Sequence, residues 1–143
     1  MKVSDKAVDM MKNGFLCSQA VFSTLGEQLG MDRSQAIKLA TGFGAGISGT
    51  GEICGAVSGG IMAMGLKYGN DENTVFDPGN RTFPLAQELI EIIKVKHGCY
   101  TCKGLTGIDF TPEGSKLFKE QNLAEKICFN VIRDVVDTVE DLW

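Results

Sequence analysis

Apolar residues recur along this chain at three- and four-residue intervals, and no stretch sustains the two-residue alternation of a half-buried strand. Val3, Ala7, Met10 and Met11 form a first short stripe, with Ser4 as a candidate N-cap and Asn13-Gly14 as the stop. A second helix is predicted from Leu16 or Cys17 to Gly30, with Cys17, Ala20, Val21, Thr24 and Leu25 on its inner face. Asp32 with Gln35 three residues later reads as a capped start, followed by Ala36, Ile37 and Ala40 facing inward until Gly42 breaks the pattern. The glycine-rich run from Gly42 to Gly51 is predicted to be a loop with positive-φ positions or close backbone contacts.

From Cys54 to about Lys67 the pattern changes character. Apolar and small residues occupy every side, which is expected of a helix buried all round. Gly55 and Gly59, and Ala56 and Gly60, lie four apart. Each interior glycine costs about 1 kcal/mol relative to alanine. Close packing or a ligand, not helix propensity, is therefore expected to have set this stretch. After the polar connection Gly69–Gly79, a longer helix is predicted from Phe83 to His97, ended by Gly98. The segment CYTCKGLTGIDF reads as loop. Thr111-Pro112-Glu113 starts a short helix, with a Thr cap and Pro at the first position. The last helix is predicted from Leu123 to Leu142, with Ala124, Ile127, Cys128, Val131, Val135 and Val139 as its stripe and Cys128 in mid-helix. The expected fold is all-α: one domain over residues 1–143, a compact bundle of six or seven helices with the glycine-rich helix buried at its centre.

Composition narrows the function classes. A chain of 143 residues with 43% hydrophobic and 22% charged residues can bury a core and is not a disordered type. A net charge of −4, with no cluster of Lys and Arg, argues against nucleic acid as a partner. Ile53–Leu66 falls short of the roughly 20 apolar residues that a membrane span needs. The N-terminal MKVSDKAVDMMKNG lacks the apolar core of a secretory signal. A cytoplasmic location is the expectation.

The candidate chemistry lies in five cysteines, Cys17, Cys54, Cys99, Cys102 and Cys128. In a reducing compartment, cysteines in such number point to redox, catalytic or metal-binding work. The odd count opposes a simple disulfide framework. Cys54 and Cys17 each stand at a predicted helix start, where free N–H groups and the helix dipole favour a thiolate. On these grounds, with the small residues behind it allowing a close approach, Cys54 is expected to be the most reactive or most tightly ligated thiol. The alternative for all three inward-facing positions, Cys17, Cys54 and Cys128, is that cysteine is a good small core residue.

Other signatures fail. Cys99-Tyr100-Thr101-Cys102 is a CxxC, but it follows a helix instead of a strand, unlike a thioredoxin motif, and no second close pair completes a zinc ribbon. The glycine loop lacks GK[S/T] and does not follow a strand, so neither a P-loop nor a dinucleotide fold is indicated. His97 reads as a surface charge at a helix end, and Glu52 as a favourable charge near a helix start.

Cys54-Gly55-Ala56-Val57-Ser58-Gly59, preceded by Cys17 in NGFLCSQAV and followed by Cys102 in CKGLTGIDF and by Cys128, resembles the pattern of the C_GCAxxG_C_C family. The resemblance covers nearly the whole chain. It implies a small helical domain regarded as redox-active because of its cysteines, and it supplies no substrate. The chain departs from the pattern in carrying Ile53 before Cys54 and in having Cys99 as an extra thiol, which leaves open whether Cys99, Cys102 or both serve as the working third cysteine.

Three functions compete. The first is thiol–disulfide exchange or electron transfer through the clustered cysteines, with a redox partner protein of unknown identity. The second is a zinc or iron–sulfur site held by Cys17, Cys54, Cys102 and Cys128, whose spacing lacks the compact runs of ferredoxins. The third is a structural or partner-binding helical module in which the cysteines only pack.

Overall fold

The computed structural model describes all residues, 1–143, and is helical throughout, without strands. Eight α-helices follow in order: α1 (Val3–Lys12), α2 (Cys17–Glu27), α3 (Arg33–Ala40), α4 (Gly55–Tyr68), α5 (Thr82–His97), α6 (Cys102–Thr106), α7 (Pro112–Glu120) and α8 (Phe129–Leu142). The count exceeds the expected six or seven because the segment after Cys99 is not all loop. The Thr101 hydroxyl accepts the Gly104 N–H at 3.0 Å and caps the five-residue α6, too short to show any periodicity. The last helical run extends unbroken from Leu123 to Leu142, the expected span, but Ala124–Cys128 within it form a π-turn and Cys128 sits where that turn passes into α8.

Local signals act as the sequence suggests at several ends. Asp32 Oδ2 accepts the Gln35 N–H at 3.0 Å, Thr111 accepts the Gly114 N–H at 3.1 Å with Pro112 behind it, and Gly98 closes α5 in the left-handed conformation, φ 79°.

The core is built where α2, α4, α5 and α8 meet, with α1 packed across α2 and α8. Leu25, Met64, Leu89, Ile93, Ile132 and Val135 are among its fully buried side chains. The glycines of α4 set the distances. A Cβ on Gly59 would stand 3.0 Å from the Ser18 carbonyl of α2, and one on Gly60 would stand 2.9 Å from Val135 of α8 and 3.0 Å from Leu89 of α5. Glycine at these positions brings α2, α5 and α8 close to α4, which offsets its poor helix propensity. Burial covers Gly55–Gly60 but not the whole helix, since Leu66 is 44% exposed and Lys67 lies on the surface. Inside, Ser18 donates to the Ala40 carbonyl at 2.8 Å, so a buried hydroxyl also ties the end of α3 to the start of α2.

Candidate functional site: a cavity lined by four cysteines

The loop between α3 and α4 takes an unusual path. Ala45, Gly46, Ile47, Ser48 and Gly49 all have positive φ, at 52°, 68°, 64°, 54° and 80°. For the three that are not glycine this conformation costs about 1–2 kcal/mol each. The loop is held by the Ser48 hydroxyl donating to Gly42 O and the Thr50 hydroxyl donating to Gly46 O, both at 2.8 Å. Gly46 is required for a close approach as well as for its φ. A Cβ there would lie 2.6 Å from the Glu52 nitrogen and 2.7 Å from the Cys102 Cβ.

The end of this loop pairs with the CxxC segment. Ile53 and Thr101 form an antiparallel bridge. Cys54 N–H donates to Tyr100 O at 2.9 Å, Cys102 N–H to Glu52 O at 2.7 Å, and Lys103 N–H to Gly51 O at 3.1 Å. The pairing separates the two cysteines of the motif. Cys102 turns into the molecule as the first residue of α6, while the Cys99 sulfur stands on the outside, 3.2 Å from the Thr101 hydroxyl. Gly104 leaves space for that sulfur, for a Cβ there would be 2.1 Å from it. Cys102 thus joins Cys17, Cys54 and Cys128 at one cavity, and Cys99 does not.

Cys17, Cys54, Cys102 and Cys128 line one cavity of about 20 Å3, room for roughly one water. Each comes from an element boundary: the first residue of α2, the N-cap of α4, the first residue of α6 and the last residue of the π-turn. Cys54 is 9% exposed and the other three are half-buried. Leu105, Ile127 and Val131 supply apolar wall.

The four thiols are not equivalent. Cys17 is held at about 7 by the Cys54 S–H donating to its sulfur, against the opposing effect of burial and with help from the backbone N–H groups of Ala45, Ser18 and Ala56. Cys54, as the donor, is raised well above the ordinary thiol range, by that hydrogen bond first and then by burial and the Cys17 charge. The Cys54 thiol first, and then the amides of Ala45, Ser18 and Ala56, lower Cys17, whereas Cys54 has only the amides of Ala56 and Val57 to set against its raising causes. The sequence expectation places the most reactive or most tightly ligated thiol at Cys54. Both cysteines open a helix, but the left-handed loop aims its Ala45 amide at Cys17. The Cys17 sulfur also rests on Gly55, where a Cβ would be 2.6 Å away. Burial pushes Cys102 up to about 11 and Cys128 up to about 12, with the Cys17 charge adding to both. Cys99 is lowered by its hydrogen bonds to the Thr101 hydroxyl and amide.

Other expected residues play smaller parts. Glu52 is exposed and contributes through its backbone. His97 is not a free surface charge, since its Nε2 lies 2.7 Å from Asp134 Oδ2 and joins the end of α5 to α8. The expected metal site is not assembled. No group of three or more Cys, His, Asp or Glu side chains stands where it could hold a metal ion, so Cys17, Cys54, Cys102 and Cys128 border a cavity without converging on one point at the roughly 2.3 Å that zinc–sulfur bonds require. All five cysteines are free thiols.

A second, wider cleft of about 110 Å3 lies against the first and shares Cys17, Cys102 and Cys128 with it. Its remaining wall comes from Met11, Phe15, Leu16 and Ala45 on one side and from the Phe110–Phe118 pair, ring centroids 5.4 Å apart, on the other. Sequence reasoning found neither the Ala45 amide nor this aromatic pair. Ala45 carries no mark of a left-handed backbone, and Phe110 and Phe118 are eight residues apart across the loop-to-α7 boundary.

The family model described as "Putative redox-active protein (C_GCAxxG_C_C)" matches residues 15–142. A curated protein from Archaeoglobus fulgidus, described as "Uncharacterized protein", is 32% identical over 88 residues, which cover 59% of this chain and 58% of that protein. The match thus spans less than two thirds of that relative's length. No solved structure matches.

Proposed function

The chain belongs to the C_GCAxxG_C_C family, and on that premise we propose that it carries out thiol–disulfide exchange through Cys17, with Cys54, Cys102 and Cys128 as the thiols from which a resolving partner is drawn. The observation that carries this reading is the cavity that Cys17, Cys54, Cys102 and Cys128 share, in which the Cys54 thiol beside it is the first cause that lowers Cys17 to about 7. A thiolate is the attacking species in exchange, and one whose pKa lies near neutral combines a populated charge with adequate nucleophilicity. The reaction runs in two steps. Cys17 attacks one sulfur of an oxidised partner, and the partner's other sulfur leaves as a thiolate. A second cluster thiol then loses its proton and attacks the Cys17 sulfur, which closes a disulfide within the chain and releases the remaining partner thiol. The raised values of Cys54, Cys102 and Cys128 keep them protonated until the charge on Cys17 has been spent in the first bond. A cytoplasmic setting and an oxidised disulfide partner are part of the proposal.

Poising the protein across a series of dithiol–disulfide buffers, blocking free thiols and weighing the intact chain tests it. The expected result is a two-thiol step that disappears in Cys17→Ser. A chain that keeps all its thiols across the series would overturn the reading.

A further inference from the structure

The wider cleft bears on what the oxidised substrate is, an inference that rests on the thiol–disulfide reading above. Its lining is apolar on all sides. No lysine, arginine, aspartate or glutamate belongs to it, and its only heteroatom-bearing side chains are Met11 and three cysteines. Its volume, about 110 Å3, compares with the roughly 150 Å3 of a dry apolar cavity that takes up benzene. It therefore has room for one ring or a short branched alkyl group. The Phe110–Phe118 pair offers faces and edges for such a group. Leu16 is 37% exposed, and Cys17, with Cys102 and Cys128, lines both this cleft and the cysteine cavity beside it. A zwitterionic disulfide such as oxidised glutathione would have to place charged groups here without partners, which burial penalises heavily.

We infer that this cleft binds the substrate disulfide and selects one whose reacting sulfur carries a small, uncharged, apolar or aromatic group. The group enters between Met11, Phe15, Phe110 and Phe118 and sets the adjoining sulfur against Cys17. Cys17 forms a mixed disulfide with that sulfur, and the other half of the substrate departs as a thiolate. Closure of a disulfide between Cys17 and a neighbouring cysteine then expels the bound half as a second thiol. One substrate disulfide is reduced to two thiols while two protein thiols are oxidised.

The test uses reduced Cys99→Ser chain, so that the half-buried thiol outside the cluster does not contribute. Rates are measured with 4,4′-dithiodipyridine, an uncharged aromatic disulfide, with the dianionic 5,5′-dithiobis(2-nitrobenzoate), and with oxidised glutathione. Each rate is divided by that of N-acetylcysteine with the same probe at the same pH. The uncharged probe is expected to be favoured by about tenfold or more. Toluene, an unreactive occupant of the same size, should slow that probe competitively in unmutated clefts, and Phe118→Ala should lower the preference while Phe118→Leu retains most of it. Equal normalised rates, or no effect of toluene, overturn the assignment of the cleft. The underlying reading has a separate readout: two thiopyridone molecules released per chain with no thiopyridine adduct in the intact mass support exchange with resolution, whereas a chain that keeps an adduct on every reacted thiol, a lasting mixed disulfide, defeats that reading whatever the probe preference.

Discussion

Two long connections in this molecule have similar turn-rich sequences and opposite uses. Residues 69–81, between α4 and α5, bond mainly to themselves: Asn73 N–H donates to Asp71 Oδ1 at 2.9 Å and Gly79 N–H to Asp77 Oδ1 at 2.8 Å. No residue there has a positive φ, and Val75 is 88% exposed. Residues 44–54, between α3 and α4, run left-handed through five successive positions and bond to the distant segment that carries Cys102. The first connection is satisfied locally and spans a gap. The second is strained, and its strain aims an amide at Cys17 and seats Cys102 beside it. Backbone strain of this kind persists where surrounding structure holds it, and it concentrates at sites that do chemistry.

The sharpest way to break the contrast is Gly46→Ala. The added methyl meets Glu52 backbone and the Cys102 Cβ at 2.6–2.7 Å in a left-handed position. A loss of about 3 kcal/mol in urea unfolding is expected, with misplacement of Cys102. Gly55→Ala comes next. Its Cβ would press on the Cys17 sulfur at 2.6 Å and on Phe43 O at 3.0 Å, for an expected loss of about 1–3 kcal/mol. It should also raise the pKa of Cys17, read from the pH dependence of its alkylation.

A smaller effect is the pH dependence of stability. Cys17 is lowered to about 7, so its contribution is fully present above the ordinary thiol value and is lost as pH falls through 7. Cys102 and Cys128 are raised to about 11 and 12, so theirs is present below the ordinary value and is lost as pH climbs toward those figures. Acidifying from pH 8 to 6 should therefore narrow the stability difference between the wild-type chain and Cys17→Ser, measured by chemical denaturation. The smallest effect belongs to the other connection. Gly79→Ala, where φ is not positive and the nearest atom is the mobile Asp77 carboxylate at 3.4 Å, should change stability by less than about 0.5 kcal/mol.

Much of this arrangement is legible in the sequence, for definite reasons. Apolar periodicity locates the longer helices. The spacing of Gly55, Gly59 and Gly60 announces close packing, and Thr111-Pro112 marks a helix start by capping chemistry alone. Cys54 stands at a helix start, and Cys17, Cys54, Cys102 and Cys128 share a cavity. What stays hidden depends on contacts between distant segments. A five-residue helix such as α6 has no periodicity to read. A π-turn before Cys128 shifts one hydrogen bond without a residue type to signal it. The CxxC looks like a local pair, and only its bridge to Ile53 reveals that the two thiols part. Helix-start position favours Cys17 and Cys54 alike. The choice between them comes from Ala45, whose backbone conformation no sequence rule anticipates.

The central claim is that Cys17, not Cys54, carries the charge of the paired thiols. Reduced protein alkylated briefly with iodoacetamide across a pH series, digested and read cysteine by cysteine, tests it most directly. Among the four cavity cysteines, Cys17 should be modified first, with a midpoint near pH 7. Modification of Cys54 ahead of Cys17, or of Cys17 only in the ordinary thiol range, would contradict the account.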